Sequence, residues 1–200
     1  MSIRVPGFAS FCVFLDKIAI MVKSRVLLIA LSSSMLFLLV SMHTPRPEGI
    51  RWMTIEEAFA AQKRAPKKIF IDVYTDWCGW CKKMDATSFS HPEVIQYMNE
   101  HFYAVKFNAE QREDVLYGGK KYQFLQKGNR GYHEFASFLL NDQLSYPTTV
   151  YMNEKGEKIF PVPGYLDAKN MEMVLNYVGT DGYQKGPWEA YQKTFSGRVK

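Results

Sequence analysis

The sequence predicts an α/β fold, a sheet covered by helices, and three stretches carry that expectation. Ile69-Phe70-Ile71-Asp72-Val73-Tyr74 is apolar except for Asp72, as a strand buried on both faces would be. It runs directly into Trp77-Cys78-Gly79-Trp80-Cys81-Lys82 and then Lys83, Met84 and Asp85, which reads as strand, tight turn and helix start. Farther on, the β-branched run Thr148 to Met152 passes through the turn Asn153-Glu154-Lys155-Gly156 to a returning strand, Lys158 to Val162.

The two thiols give the turn its chemistry. Cysteines two residues apart at a helix N-terminus can close a small disulfide, and the free N–H groups and positive dipole end favour a thiolate on the first. Cys78 is therefore the expected nucleophile, and Cys81 the thiol that resolves its mixed disulfide. On these residues the chain resembles the thioredoxin-like thiol-disulfide oxidoreductases, above all exported bacterial members with Trp-Cys-Gly-Trp-Cys-Lys, over about Trp52 to Val178. Asp72 lies six residues before Cys78, where the family keeps a buried acid that assists proton transfer at the resolving cysteine. Lys106 falls where the family has a strand lysine close to that acid. Tyr146-Pro147-Thr148 matches the loop whose proline is cis and packs beside the cysteine pair. The resemblance implies a thioredoxin-like fold: a central mixed sheet flanked by helices, with a hairpin-plus-helix insertion before the cis-proline loop. It also implies a Cys78–Cys81 redox disulfide.

Two hundred residues, 47% hydrophobic and 22% charged, make one domain with a proper core plus a leader. The formal charge of +5 comes mostly from that leader: Arg4, Lys17, Lys23 and Arg25 precede residue 43, against Asp16 alone. The remainder has 21 basic and 19 acidic residues with no basic stripe, which argues against nucleic acid as a partner. Met21 to Arg25 is a positive n-region, and Val26 to Met42 is a run of 17 residues without a charge. That is an export signal or, given its length and the lack of an Ala-x-Ala site, a membrane anchor. A buried core helix competes poorly, because charges precede the run and Pro45 and Pro47 follow it. Residues 1–20 are then an extension ahead of a start at Met21, 43–51 a linker, and 52–200 the domain with a C-terminal helical extension. Either export reading places the domain in the periplasm or elsewhere outside the cytoplasm, where disulfides persist, with membrane contact only through the N-terminal segment. Cys12 falls in the extension, so the mature domain keeps Cys78 and Cys81 alone.

In chain order, Thr54 and Glu57 form a capping box for a helix to about Lys63, and Pro66 stops it. The helix after Cys81 reaches about Thr87. Pro92 opens the next, with Val94, Ile95, Tyr97 and Met98 inward, and Phe102 to Asn108 is a strand. His91 and His101 read as helix-end or surface residues, since their spacing fits no metal site. Val115 to Tyr122 is expected to be a hairpin about Gly118-Gly119, with Tyr122 and Phe124 on its returning arm. His133 to Leu140, apolar at Phe135, Phe138 and Leu139, is expected to be a short amphipathic helix. This insertion either shapes a partner-binding surface or extends the sheet edge, and the second is the simpler. The last core helix spans Ala168 to about Tyr177. One short terminal helix then packs Trp188, Tyr191 and Phe195 on the domain.

The family resemblance implies that Asp72, with Lys106, relays the proton of Cys81, that Pro147 shapes the groove for substrate backbone and that Tyr146 lines it. The simpler reading of Asp72 is a strand-end carboxylate held by water or a backbone N–H. Trp77 and Trp80 supply an aromatic rim for cysteine-containing segments of flexible partners, or merely shield the disulfide. Gly-Trp between the cysteines is neither the Gly-Pro of reducing thioredoxins nor the Pro-His of strong oxidants, so direction stays open. Resemblance to exported domains fed by a membrane disulfide reductase favours reduction of client-protein disulfides, with no bound cofactor. An oxidase or isomerase, a non-catalytic client-binding or chaperone module, and a zinc site built from two such motifs in a dimer are the competing readings.

Overall fold

The computed structural model describes residues 48–200. The expected extension (1–20) and signal or anchor (21–42) lie outside them. Among the described residues no helix is long and apolar enough to cross a membrane. The Asn99 side chain ties down the start of the domain, donating to Gly49 O (2.9 Å) and accepting from Arg51 N–H (2.9 Å).

The elements follow as β1 (Trp52–Met53), α1 (Ile55–Arg64), β2 (Lys68–Tyr74), α2 (Gly79–Ala86), α3 (Pro92–His101) and β3 (Phe102–Asn108). Two hairpins come next, β4 (Val115–Tyr117) with β5 (Lys120–Tyr122) and β6 (Phe124–Lys127) with β7 (Arg130–His133). Helix α4 (Glu134–Leu139), β8 (Thr148–Met152), β9 (Lys158–Pro163), α5 (Ala168–Gly179), α6 (Gly182–Lys185) and α7 (Trp188–Thr194) complete the domain. Five strands form one mixed sheet in the order β1-β3-β2-β8-β9. In it β2 is parallel to β3 and antiparallel to β8.

Strand alternation sorts the side chains of β2 into two cores. Ile69, Ile71 and Val73 face Ile55 and Ala58 of α1 and Phe135, Ala136 and Leu139 of α4. Phe70 faces the other way, into Met84 of α2, Val94 and Met98 of α3, and Met171, Val174 and Leu175 of α5. Helices on both faces explain why the strand is apolar except at Lys68, Asp72 and the phenol of Tyr74. Burying each of its large aliphatic side chains contributes roughly 1.5–3 kcal/mol.

The insertion departs from expectation in three ways. Phe124 does not continue the returning arm of the first hairpin but starts β6, and Arg130–His133, which leads into the expected helix, is its partner strand β7. The two hairpins are separate two-stranded sheets and do not extend the central one. His133 ends β7 and caps α4, its Nδ1 accepting from Phe135 N–H at 3.0 Å. Gly118 and Gly119 both take positive φ (58° and 78°) in the first turn, which glycine adopts without steric cost. At Gly131 a Cβ would collide with the Phe124 ring, so only glycine lets the second hairpin close. The C-terminal segment likewise holds two short helices, α6 and α7, instead of one.

Strand β9 is an edge. Gly164 N–H turns toward β8, donating to Pro147 O at 2.8 Å, and register pairs Thr148 with Pro163 and Val150 with Pro161. Alternation then aims the nitrogens of Pro161 and Pro163 away from the sheet, where no ladder bond is lost.

Candidate active site

The loop Thr75-Asp76-Trp77 carries β2 into α2, and Cys78 is the residue that caps the helix. Cys78 N–H donates to Thr75 O (3.1 Å), and Cys81 N–H donates to Cys78 Sγ (3.1 Å), as it would to a serine or aspartate oxygen at that position. Cys78 and Cys81 are joined in a disulfide. Both are buried. On reduction, the N–H already aimed at Cys78 Sγ and the helix terminus favour its thiolate.

Aromatic side chains border the pair. Trp77 and Trp80 are 64% and 56% exposed, so the motif presents its largest apolar surface to solvent. The two indoles are held differently. Trp77 Nε1 donates to Glu110 Oε1 (3.1 Å), and its ring meets Tyr146 edge-on at 5.9 Å. Trp80 leans on Tyr165 at 5.4 Å, with Lys83 Nζ 4.7 Å from its centroid. The Tyr146–Pro147 peptide bond is cis and Pro147 is buried. Through Trp77 and Tyr146 the proline loop therefore stands beside the cysteine turn. Burial pushes the Tyr146 phenol up to about 12, so it remains neutral.

A charged cluster joins β2 and β3 to the cysteine helix. Asp72 is completely buried on the Phe70 side of β2, the side that α2 covers through Met84. Register places it between Lys106 on β3 and Thr149 on β8. Lys106 Nζ donates to Asp72 Oδ2 at 2.7 Å and also bonds the carboxylate of Asp85 on α2, while Asp72 Oδ1 is buried with no partner. Burial drives the Asp72 pKa up to about 6; Lys106 opposes the shift and the Asp85 charge adds to it. Burial also works against the Lys106 ammonium, but its carboxylate partners outweigh that, and its pKa lies above the usual lysine value.

The structure thus brings together the expected residues: Cys78 with Cys81, Asp72 with Lys106, and Trp77 with Tyr146 beside Pro147; Trp80 packs on Tyr165 instead. Asp72 is no strand-end carboxylate held by a backbone N–H. Two residues escaped the sequence reading. Asp85 had a usable signal, since four residues after Cys81 on a helix is the same face. Glu110 had none, because its bond to Trp77 spans 33 positions.

The thioredoxin-like domain family matches residues 55–179. Spermatogenesis-associated protein 20 of Rattus norvegicus is 38% identical over 60 residues, which are 30% of this chain and 8% of that protein. An uncharacterized protein of Caenorhabditis elegans is 28% identical over 131 residues, 66% of this chain and 17% of that one. The chain therefore spans less than a fifth of the length of either relative. Among solved structures, a thioredoxin from Thermus thermophilus has a TM-score of 0.52 at 17% identity, covering 70% of this chain and 95% of its own. A thioredoxin-fold protein from Helicobacter pylori gives 0.51 at 18% identity, covering 75% and 89%. At these identities the likeness is one of fold.

Proposed function

The chain belongs to the thioredoxin-like domain family, and from that premise we propose that it is a thiol-disulfide oxidoreductase that reduces disulfides of client proteins outside the cytoplasm. The observation that carries the exchange chemistry is the buried Asp72, on the sheet face covered by the cysteine helix, with one oxygen unpartnered and a pKa of about 6. An acid so placed is largely ionised at neutral pH yet still a competent base.

The Cys78 thiolate attacks one sulfur of a client disulfide. A bond forms between them, the client S–S bond breaks, and the departing thiolate takes a proton from water. Asp72 accepts the Cys81 proton, and the Cys81 thiolate attacks Cys78 Sγ. That breaks the mixed disulfide and releases the second client thiolate. The client gains two electrons and the cysteine pair loses two, as in any dithiol–disulfide exchange. A dithiol donor must then return the pair to its reduced form; an export-linked membrane disulfide reductase fits that need. The rim of Trp77, Trp80 and Tyr146 suits flexible segments bearing a disulfide. Export rests on the charged n-region and the uncharged run 26–42.

Direction is tested by the reduction potential of the full chain, equilibrated with glutathione and dithiothreitol buffers. A value near about −270 mV supports client reduction; one near about −120 to −180 mV replaces it with oxidation or isomerisation. Cys81→Ser should trap clients as mixed disulfides on Cys78, and a static clasp would trap none. Fractionation of cells expressing the full chain tests the compartment.

A further inference from the structure

Three charged side chains run in a line from the interior to the surface. Asp72 is fully buried, the Lys106 side chain is 22% exposed and that of Asp85 is 46% exposed, with the lysine ammonium bonded to both carboxylates. The ammonium is not free to choose other partners. Its Nζ lies 5.0, 5.1 and 5.3 Å from the ring centroids of Tyr74, Trp52 and Phe89, which enclose it between the two acids. How strongly it binds Asp72 is then decided by how much of it Asp85 takes.

We propose that Asp85 is a positioning residue for the exchange reaction: by sharing the Lys106 ammonium, it keeps Asp72 able to accept the Cys81 proton. This rests on the exchange reading above and names a residue that acts through Lys106 without touching the reacting sulfurs. With a neutral residue at 85, Lys106 has Asp72 as its sole anionic partner, and an ammonium wholly committed to one carboxylate stabilises its charged form. The like charge of Asp85 works in the same direction, since its removal also favours ionised Asp72. Both effects make Asp72 a weaker base, and proton transfer slows with it. The step itself is unchanged: the proton leaves Cys81 Sγ, resides on Asp72 and passes on to water.

The other groups facing Asp72 do not substitute for Asp85. Tyr151 on β8 and Tyr74 on its own strand have phenols raised by burial and are neutral across the working range; Thr149 carries no charge. From α2 the cysteines are tied in the disulfide, and Lys83 is turned to the rings of Trp80 and Tyr165.

Two measurements on the full chain test this. The first forms a glutathione mixed disulfide on Cys78 and follows glutathione release by Cys81 against pH. Asp85→Asn should move the acid limb to lower pH and slow the plateau by roughly two- to ten-fold, with Asp85→Glu restoring both. The second titrates the Asp72 carboxyl carbon by NMR in the oxidised protein, where no turnover is needed. Asp85→Asn should lower its midpoint. An unmoved or raised midpoint in a folded Asp85→Asn protein overturns the proposal, whatever the exchange rate. A lowered midpoint in a chain that releases no glutathione overturns the exchange reading and leaves the Asp85–Lys106–Asp72 coupling standing.

Discussion

The two faces of β2 are built to opposite specifications. On one, Ile69, Ile71 and Val73 are fully buried among aliphatic and aromatic side chains, and nothing on that face of the strand titrates. On the other, Phe70 occupies an equally dry core, but the next position is a carboxylate. Stability at that carboxylate should depend on pH and on Lys106. The contrast shows where the fold sacrifices stability: an ionised Asp72 is costly to bury, and on the proposed function that cost supplies the base for the cysteine pair.

The contrast breaks most sharply at Lys106. Lys106→Met leaves the carboxylate buried without its cation, so urea unfolding at about pH 8 should show a loss of roughly 3–5 kcal/mol. The loss should shrink by about pH 5, where Asp72 takes up a proton instead. On the apolar face, Ile71→Ala should cost roughly 3 kcal/mol at either pH, leaving the pH slope of stability as in the parent. A slope that changed would mean the two faces are not independent.

Asp72→Asn sharpens the comparison from the other side. Folded Asp72 binds its proton with a pKa of about 6 against an ordinary 3.8, so this proton stabilises the fold below the lower value and that contribution is lost as pH rises through about 6. The variant has no such loss. It should match or slightly trail the parent at about pH 4 and exceed it by up to about 2 kcal/mol at pH 8, while disulfide exchange falls by roughly 10- to 100-fold. The smallest effect is expected outside both faces. Glu110→Gln weakens the tether on Trp77, which should leave unfolding within about 0.5 kcal/mol and the reduction potential unchanged, while KM for a protein disulfide rises a few-fold.

Much of this arrangement was legible in the chain, for identifiable reasons. The Thr54–Glu57 capping box is present in both directions, with Thr54 N–H donating to Glu57 (2.8 Å) and Glu57 N–H to Thr54 (3.2 Å). Local spacing alone sets such a motif. Strand β3 runs over Phe102–Asn108, the expected bounds, because its apolar run ends sharply at both sides. The nearness of Asp72 to Lys106 and the cis bond before Pro147 were readable only through family resemblance; no local pattern encodes a contact across strands. The β6–β7 hairpin was missed for a physical reason. Phe124–Lys127 is largely exposed, with no buried face to impose alternation, and what closes the hairpin is Gly131 under the Phe124 ring. His133 is a helix cap, with its Nε2 on Glu113 O at 3.0 Å.

The prolines at 161 and 163 have a further consequence. On the proposed function the protein would meet extended client segments, and an open sheet margin is the natural place for such segments to add themselves as a sixth strand. Here an arriving strand would meet carbonyl oxygens with no amide hydrogens at two alternate positions of β9, and the ladder could not propagate. On that function clients would be held through sulfur at the cysteine turn and let go when that bond is exchanged. They are denied the hydrogen-bonded grip along β9 that would seed aggregation.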